Sequence, residues 1–173
     1  VIQQLNRLQN TVRVMMGNPA DGQVYATGLS GWQGPADGKD GCLQRLRYTG
    51  RPIKLLDDVE VRPEGLALRF NFELATASAR DLASYHLEQW NYRWTSNYGS
   101  DQYSVEHPEQ PGHDRLTIQE VRLAPDGRSV VLVIPGLHPV NQVELRLDLA
   151  AADGERFREL AYLTINAVPT KNP

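Results

Sequence analysis

The chain has 173 residues, enough for one hydrophobic core plus an appendage, and its 40% apolar and 23% charged content is ordinary for a soluble globular protein. A net charge of −3, from 18 basic and 21 acidic residues, creates no field that would gather phosphate backbones, so no nucleic-acid partner is expected. No run of about 18 apolar residues occurs, which argues against a membrane-spanning helix. The single cysteine, Cys42, rules out an internal disulfide, a Cys-x-x-Cys-His haem attachment and a multi-cysteine zinc site.

The chain starts at Val1 with no visible signal peptide, as expected of a processed or truncated piece. In residues 1–16, Ile2, Leu5, Leu8 and Val12 fall at roughly helical spacing, although the same residues suit a frayed strand. Gly17 to Gly22 is turn chemistry, Gln23–Thr27 alternates like a strand, and Gly31 to Gly41 is a Gly-, Asp- and Pro-rich loop. Cys42–Tyr48 reads as a further strand. Cys42, beside a turn, is expected to be a small buried apolar residue rather than a reactive thiol. Residues 21–50 therefore predict a hairpin or partial sheet, and two strands alone are marginal in water.

After Pro52 the alternation is cleaner. Asp58–Arg62 is a short strand, Pro63-Glu64-Gly65 turns it back, and Leu66, Leu68, Phe70 and Phe72 recur with a period of two. Thr76–Leu82 suits one helical turn. Ser84–Trp90 puts Tyr85, Leu87 and Gln89 on one face and His86, Glu88 and Trp90 on the other. A polar and aromatic stretch from Asn91 to Asp114 is too long for an ordinary connection. Leu116–Leu123 resumes alternation with a slip at Gln119-Glu120, and Ala124-Pro-Asp-Gly127 is a hairpin loop. Ser129–Ile134 is nearly all apolar, as a strand covered on both faces would be. Val143–Leu149 and Leu160–Ala167 follow, and Val168–Pro173 reads as a tail. Seven strands at intervals of roughly 8–12 residues, with no sustained helix, predict an all-β antiparallel sandwich. Its core should hold Leu66, Leu68, Phe70, Val121, Leu132, Ile134, Leu145 and Leu147.

Two resemblances carry this further. Through Gly65-Leu-Ala-Leu-Arg-Phe, Tyr85-His-Leu, Val121-Arg-Leu-Ala-Pro-Asp-Gly-Arg-Ser-Val-Val-Leu and Leu149-Ala-Ala-Ala-Asp-Gly, the segment Val59–Ala167 resembles bacterial immunoglobulin-like domains of the S-layer and cell-surface type. Asp21-Gly-Gln-Val-Tyr-Ala-Thr-Gly-Leu-Ser-Gly-Trp-Gln, Asp40-Gly-Cys and Arg45-Leu-Arg-Tyr-Thr-Gly look like the last propeller blade of large secreted bacterial proteins. Those proteins combine c-type haem domains with a propeller similar to the quinoprotein sugar and sorbosone dehydrogenases. Trp90-Asn-Tyr-Arg-Trp-Thr-Ser-Asn-Tyr-Gly-Ser and Gly112-His-Asp look like the region that follows the propeller. The resemblance implies a partial blade over residues 1–50, an immunoglobulin-like sandwich over 51–173, and a periplasmic or extracellular location. This sequence departs from it by lacking a haem motif and the other blades, so no cofactor and no catalysis are expected of the chain itself.

The densest candidate site is the aromatic group Trp90, Tyr92, Trp94, Tyr98 and Tyr103, with His113 beside it. Such rings can form a platform for a sugar or a partner protein. They can equally fold the long loop back as a satellite core, and buried aromatics are the commoner case. His107, His113, Asp114 and Asp101 are nitrogen and oxygen ligand types, yet a metal needs three or four that converge, and hydrogen-bonded surface histidines are the expected outcome. Asp37, Gly38 and Asp40 miss the Asp-x-Asp-x-Asp-Gly pattern, so a plain turn is expected there rather than Ca²⁺. No metal site is therefore expected. No Ser-His-Asp or Cys-His arrangement has motif spacing. The reading that results is a non-catalytic structural or protein-interaction module, accessory to an exported bacterial assembly. Its partner would be another protein or the remainder of a larger polypeptide. The alternatives are a carbohydrate-binding module and a C-terminal fragment of a quinoprotein-like dehydrogenase.

Overall fold

In the computed structural model, the described residues are 2–3, 11–29, 41–47, 50 and 52–170. They are almost entirely β, in three antiparallel sheets. The chain divides into two compact units: Val1–Gln3 with Lys54–Pro173, and Gln4–Ile53. Strand β1 (Ile2–Gln3) therefore belongs to the larger unit, while β2 (Thr11–Asn18), β3 (Gln23–Leu29) and β4 (Gly41–Leu46) make the smaller one. The strand alternative for the N-terminal residues holds at Ile2–Gln3 and from Thr11 on. Residues 4–10 lie outside the described set.

The smaller unit is a three-stranded sheet in the order β2-β3-β4. Its first turn is set by side chains: the Ala20 N–H donates to Asn18 Oδ1 at 3.0 Å, and the Gln23 N–H donates to Asp21 Oδ1 at 3.1 Å. Gly22 takes the left-handed conformation at φ 66° that closes it. Ala26 is fully buried at the centre, whereas Val14, Met16 and Leu43 are exposed. Cys42 is half-buried, and the Gln44 amide donates to its sulfur at 3.1 Å.

The larger unit continues with β5 (Leu56–Arg62), β6 (Gly65–Phe70), the helical turn α1 (Thr76–Arg80), a 3-10 turn at Leu82–Ser84, β7 (Tyr85–Trp90), β8 (Asp114–Arg115), β9 (Glu120–Leu123), β10 (Ser129–Val133), β11 (Val140–Ala150) and β12 (Arg156–Ile165). One sheet runs β5-β6-β10-β9 and the other β1-β12-β11-β7-β8. Their inner faces share one apolar cluster. It takes Leu66, Leu68 and Phe70 from β6, Val130 and Leu132 from β10, Leu87 from β7, Val143, Leu145, Leu147 and Leu149 from β11, and Phe157, Ala161, Leu163 and Ile165 from β12. Phe70, Phe72 and Phe157 meet at centroid distances of 5.0 to 5.8 Å at one end. Of the residues expected in the core, Val121 is only half-buried, because β9 is an edge strand.

Of the segment expected as one strand, Leu116–Leu123, only Glu120–Leu123 is a strand, and the short strand Asp114–Arg115 precedes it. Asp114–Arg115 pairs with β7 in one sheet, and Glu120–Leu123 pairs with β10 in the other. Leu116 and Gln119 make the crossing, the first donating its N–H to Leu87 O at 3.0 Å, the second to Val133 O at 2.8 Å. The slip at Gln119-Glu120 is thus the place where the chain changes sheets.

At the β5–β6 turn a glycine is compulsory. Gly65 has φ 152°, and a Cβ on it would lie 1.9 Å from the Leu132 carbonyl oxygen. The tight approach lets the Ile134 N–H reach Glu64 O at 2.8 Å, which pins β6 against the end of β10.

Candidate functional site

The period-two geometry of β7 sends Leu87 and Gln89 inward and His86, Glu88 and Trp90 to the outer face of the second sheet. The loop that follows Trp90 is braced from several sides. Asn91 and Tyr103 exchange backbone bonds at 2.8 and 2.9 Å, the Gly112 N–H donates to Gln102 O, and the Ser104 N–H to Gln110 O. Asn91 and Asn141 link the loop to β11: the Asn141 N–H donates to Asn91 Oδ1 and the Tyr92 N–H to Asn141 Oδ1, both at 2.9 Å.

Asp114 is the central brace. One carboxylate oxygen accepts from Ser104 Oγ at 2.7 Å, and the other accepts from the Val105 N–H at 2.5 Å and the Glu106 N–H at 3.1 Å. Desolvation pushes its carboxyl up, yet the bonds from Ser104, Glu106 and Val105 prevail and hold it below the usual carboxylate range. Arg93 is held as firmly. Its guanidinium lies 4.2 Å from the Tyr103 ring centroid, pairs with Glu109 at 2.8 Å and donates to the Pro108 carbonyl.

This bracing divides the aromatic group. Trp90 is 3% exposed, because His113 stacks on it at 4.0 Å with planes 13° apart and Tyr162 meets its edge at 6.4 Å. Tyr103 is half-buried under Arg93. These two rings build the loop. Trp94 and Tyr98, at 102% and 97% exposure, stand in solvent, and Tyr92 is 44% exposed. A hollow of about 400 Å³ beside Tyr98 is lined by Thr95, Asn97, Ser100, Asp101 and Tyr103.

His113 belongs to a polar cluster that sequence reasoning did not assemble. Its Nδ1 lies 3.0 Å from Glu88, its Nε2 lies 2.5 Å from Gln102 Oε1, and His86 Nε2 reaches the other Glu88 oxygen at 3.0 Å. The bonds from His113 and then His86 hold Glu88 below the usual carboxylate range. Glu88 is the register partner of Glu144 on β11, which is 6% exposed. Two like charges face each other there, a repulsive arrangement by itself. Glu144 is compensated by Arg146 Nε at 2.5 Å and by the Tyr162 hydroxyl at 2.9 Å. That bond to Glu144 pushes the Tyr162 phenol up. The alternation of β7 had placed His86 and Glu88 on one face, but Glu144, Tyr162 and His113 come from distant segments.

Among the described residues, no group of three or more His, Cys, Asp or Glu side chains could hold a metal ion. His107 uses its backbone N–H on Ser104 Oγ, and Asp114 is committed to the loop. Asp37, Gly38 and Asp40 lie outside the described residues. A second hollow, of about 650 Å³, opens beside α1, but its charged groups are already paired: Asp148 with Arg156 and Arg158, and Asp81 with the Ala83 N–H. The aromatic loop is therefore where contact area and uncommitted polar groups coincide. Comparison with known proteins adds no relative: no family model, no curated protein and no solved structure matches the chain.

Proposed function

We propose that this chain is a non-catalytic, immunoglobulin-like interaction module of an exported bacterial assembly, docking a protein partner through Tyr92, Trp94 and Tyr98. The observation that carries the reading is the full exposure of two large aromatic side chains on a loop that is otherwise cross-braced. A ring held out on a rigid support loses little entropy on binding and offers a large amphipathic area, as interface anchors do. The partner is a separate protein or the remainder of a longer polypeptide.

The immunoglobulin-like label is supported by strand order. Lettered along the chain with β8 as C′, β5 to β12 give A-B-E-D in one sheet and C′-C-F-G in the other. The extracytoplasmic, accessory role follows from the resemblance to the region after a secreted propeller. A second reading, carbohydrate binding, is favoured by the hollow that sets Asn97 and Asp101 beside the Tyr98 ring.

The test compares the chain with a Trp94→Ala/Tyr98→Ala double variant. Both are immobilised and exposed to the exported fraction of producing cells, and the wild-type chain is also run on a glycan array. Losing an anchor of this type costs about 2 kcal/mol or more, roughly thirtyfold in affinity. The reading predicts a protein retained by the wild type and released by the double variant. Glycan binding lost in the same variant, with no protein retained, would replace it with the carbohydrate reading. Dye reduction by the purified chain with pyrroloquinoline quinone, Ca²⁺ and an aldose, lost on mutation of the chain's own residues, would overturn the non-catalytic assignment.

A further inference from the structure

We infer that the hollow beside Tyr98 receives an arginine side chain from the partner, a step that rests on reading the loop as a protein-docking surface. Residues 91–114 contain one basic residue, Arg93, against Asp101, Glu106, Glu109 and Asp114. That one cation is spent inside the loop on Tyr103, Glu109 and Pro108. Asp114 is spent as well, on Ser104, Val105 and Glu106. Asp101 is different. Its backbone carbonyl accepts from Ser100 Oγ at 2.7 Å, while its carboxylate has no hydrogen-bond or salt-bridge partner among the described residues.

The neighbours in the hollow narrow the choice of ligand. Ser100 Oγ already accepts from the Arg93 N–H and donates to Asp101 O, and Thr95 Oγ1 accepts from the Asn97 N–H. The residues that line the hollow thus bring together Asp101, Asn97 and the exposed Tyr98, with no Lys or Arg among them. A guanidinium satisfies both features at once, since its plane stacks on an aromatic ring and its fork of donors fits a carboxylate. An ammonium group would keep only the point charge. The loop already contains an internal instance of this chemistry, with Arg93 lying over Tyr103 and paired with Glu109.

The probes are two short blocked peptides identical except that one carries arginine and the other citrulline, which has the same shape without the charge. Each is titrated into the isotope-labelled full chain while backbone and Trp indole signals are followed by NMR. The expected result is a shift confined to Asn97, Tyr98, Asp101 and Trp94, with the arginine peptide about five- to tenfold tighter than the citrulline peptide. Asp101→Asn should erase that difference, and its melting temperature shows whether the fold survives. Equal binding of the two peptides would overturn the arginine assignment while leaving the docking surface intact. Shifts produced by neutral oligosaccharides and by neither peptide would overturn it in favour of sugar. An arginine preference that survives Asp101→Asn would overturn the hollow as its seat.

Discussion

Asp114→Ala is the substitution that separates a built platform from a floppy loop. The wild-type carboxylate accepts one hydroxyl and two backbone N–H groups, from Ser104, Val105 and Glu106. Hydrogen bonds to a charged acceptor contribute roughly 1.5–3 kcal/mol each in favourable cases, and less where water can replace the acceptor. Asp114 is half-buried, so water recovers part of the loss. The three bonds share one carboxylate and are not additive. About 2–4 kcal/mol is the resulting expectation. Alanine leaves the methylene stub and the β7–β8 pairing of Gln89 with residue 114 in place, so the damage should stay local. Amide hydrogen exchange reads this directly: the Val105 and Glu106 amides should exchange about 30- to 1000-fold faster, while Leu87, Leu132 and Leu145 stay protected. Asp114→Asn, which keeps one acceptor oxygen, should fall between. Unchanged exchange at Val105 and Glu106 in Asp114→Ala would refute the reasoning that this carboxylate organises the loop.

Gly65→Ala should be severe, because its Cβ would collide with the Leu132 carbonyl oxygen at 1.9 Å and the backbone conformation disfavours any L side chain. A loss of about 3–5 kcal/mol in urea unfolding is expected, and one below about 1 kcal/mol would show that the turn relaxes freely. Phe70→Ala empties the centre of the Phe70, Phe72 and Phe157 group and should also cost about 3–5 kcal/mol, measured the same way. The acid response follows from Glu88 and Asp114, whose carboxyls the fold holds below their ordinary values of 4.5 and 3.8. Their contribution is complete above those values and is lost as pH falls through the lower folded ones. Exchange protection of Val105 should therefore hold from neutral pH to about 5 and decline below pH 4. A decline already between pH 7 and 6 would contradict that sign.

The sandwich was legible where burial is one-sided. Leu66, Leu68 and Phe70 show their inward face by alternation alone. Ser129 to Ile134 is central in its sheet, between β6 and β9, but is not covered on both faces as its apolar run suggested: Val130 and Leu132 are buried, while Val131 and Val133 on the outer face are half-buried. Val121 alternates just as well, but alternation cannot tell an edge strand from a central one. The crossing at Leu116–Gln119 reads as strand because Leu116 is buried and Ile118 half-buried at alternate positions, although this segment only carries the chain from one sheet to the other. The aromatic group was visible as a group, but its division was not. Trp90 and Trp94 are four residues apart and chemically identical. One is covered by His113 returning from the far end of the loop, and the other is not. The Glu88 and Glu144 pairing was out of reach for the same reason, as strand register between β7 and β11 is a long-range property.

The most direct measurement of the interaction role is photocrosslinking in producing cells, with a photoreactive phenylalanine analogue placed at position 98 or, as a comparison, at Asp57 near the exposed start of β5 in the other sheet. A discrete protein adduct is expected from position 98, weakened by Asp101→Asn and by Trp94→Ala, and none from position 57. Adducts from position 57 with none from position 98 would contradict it, placing the contact surface on the opposite sheet.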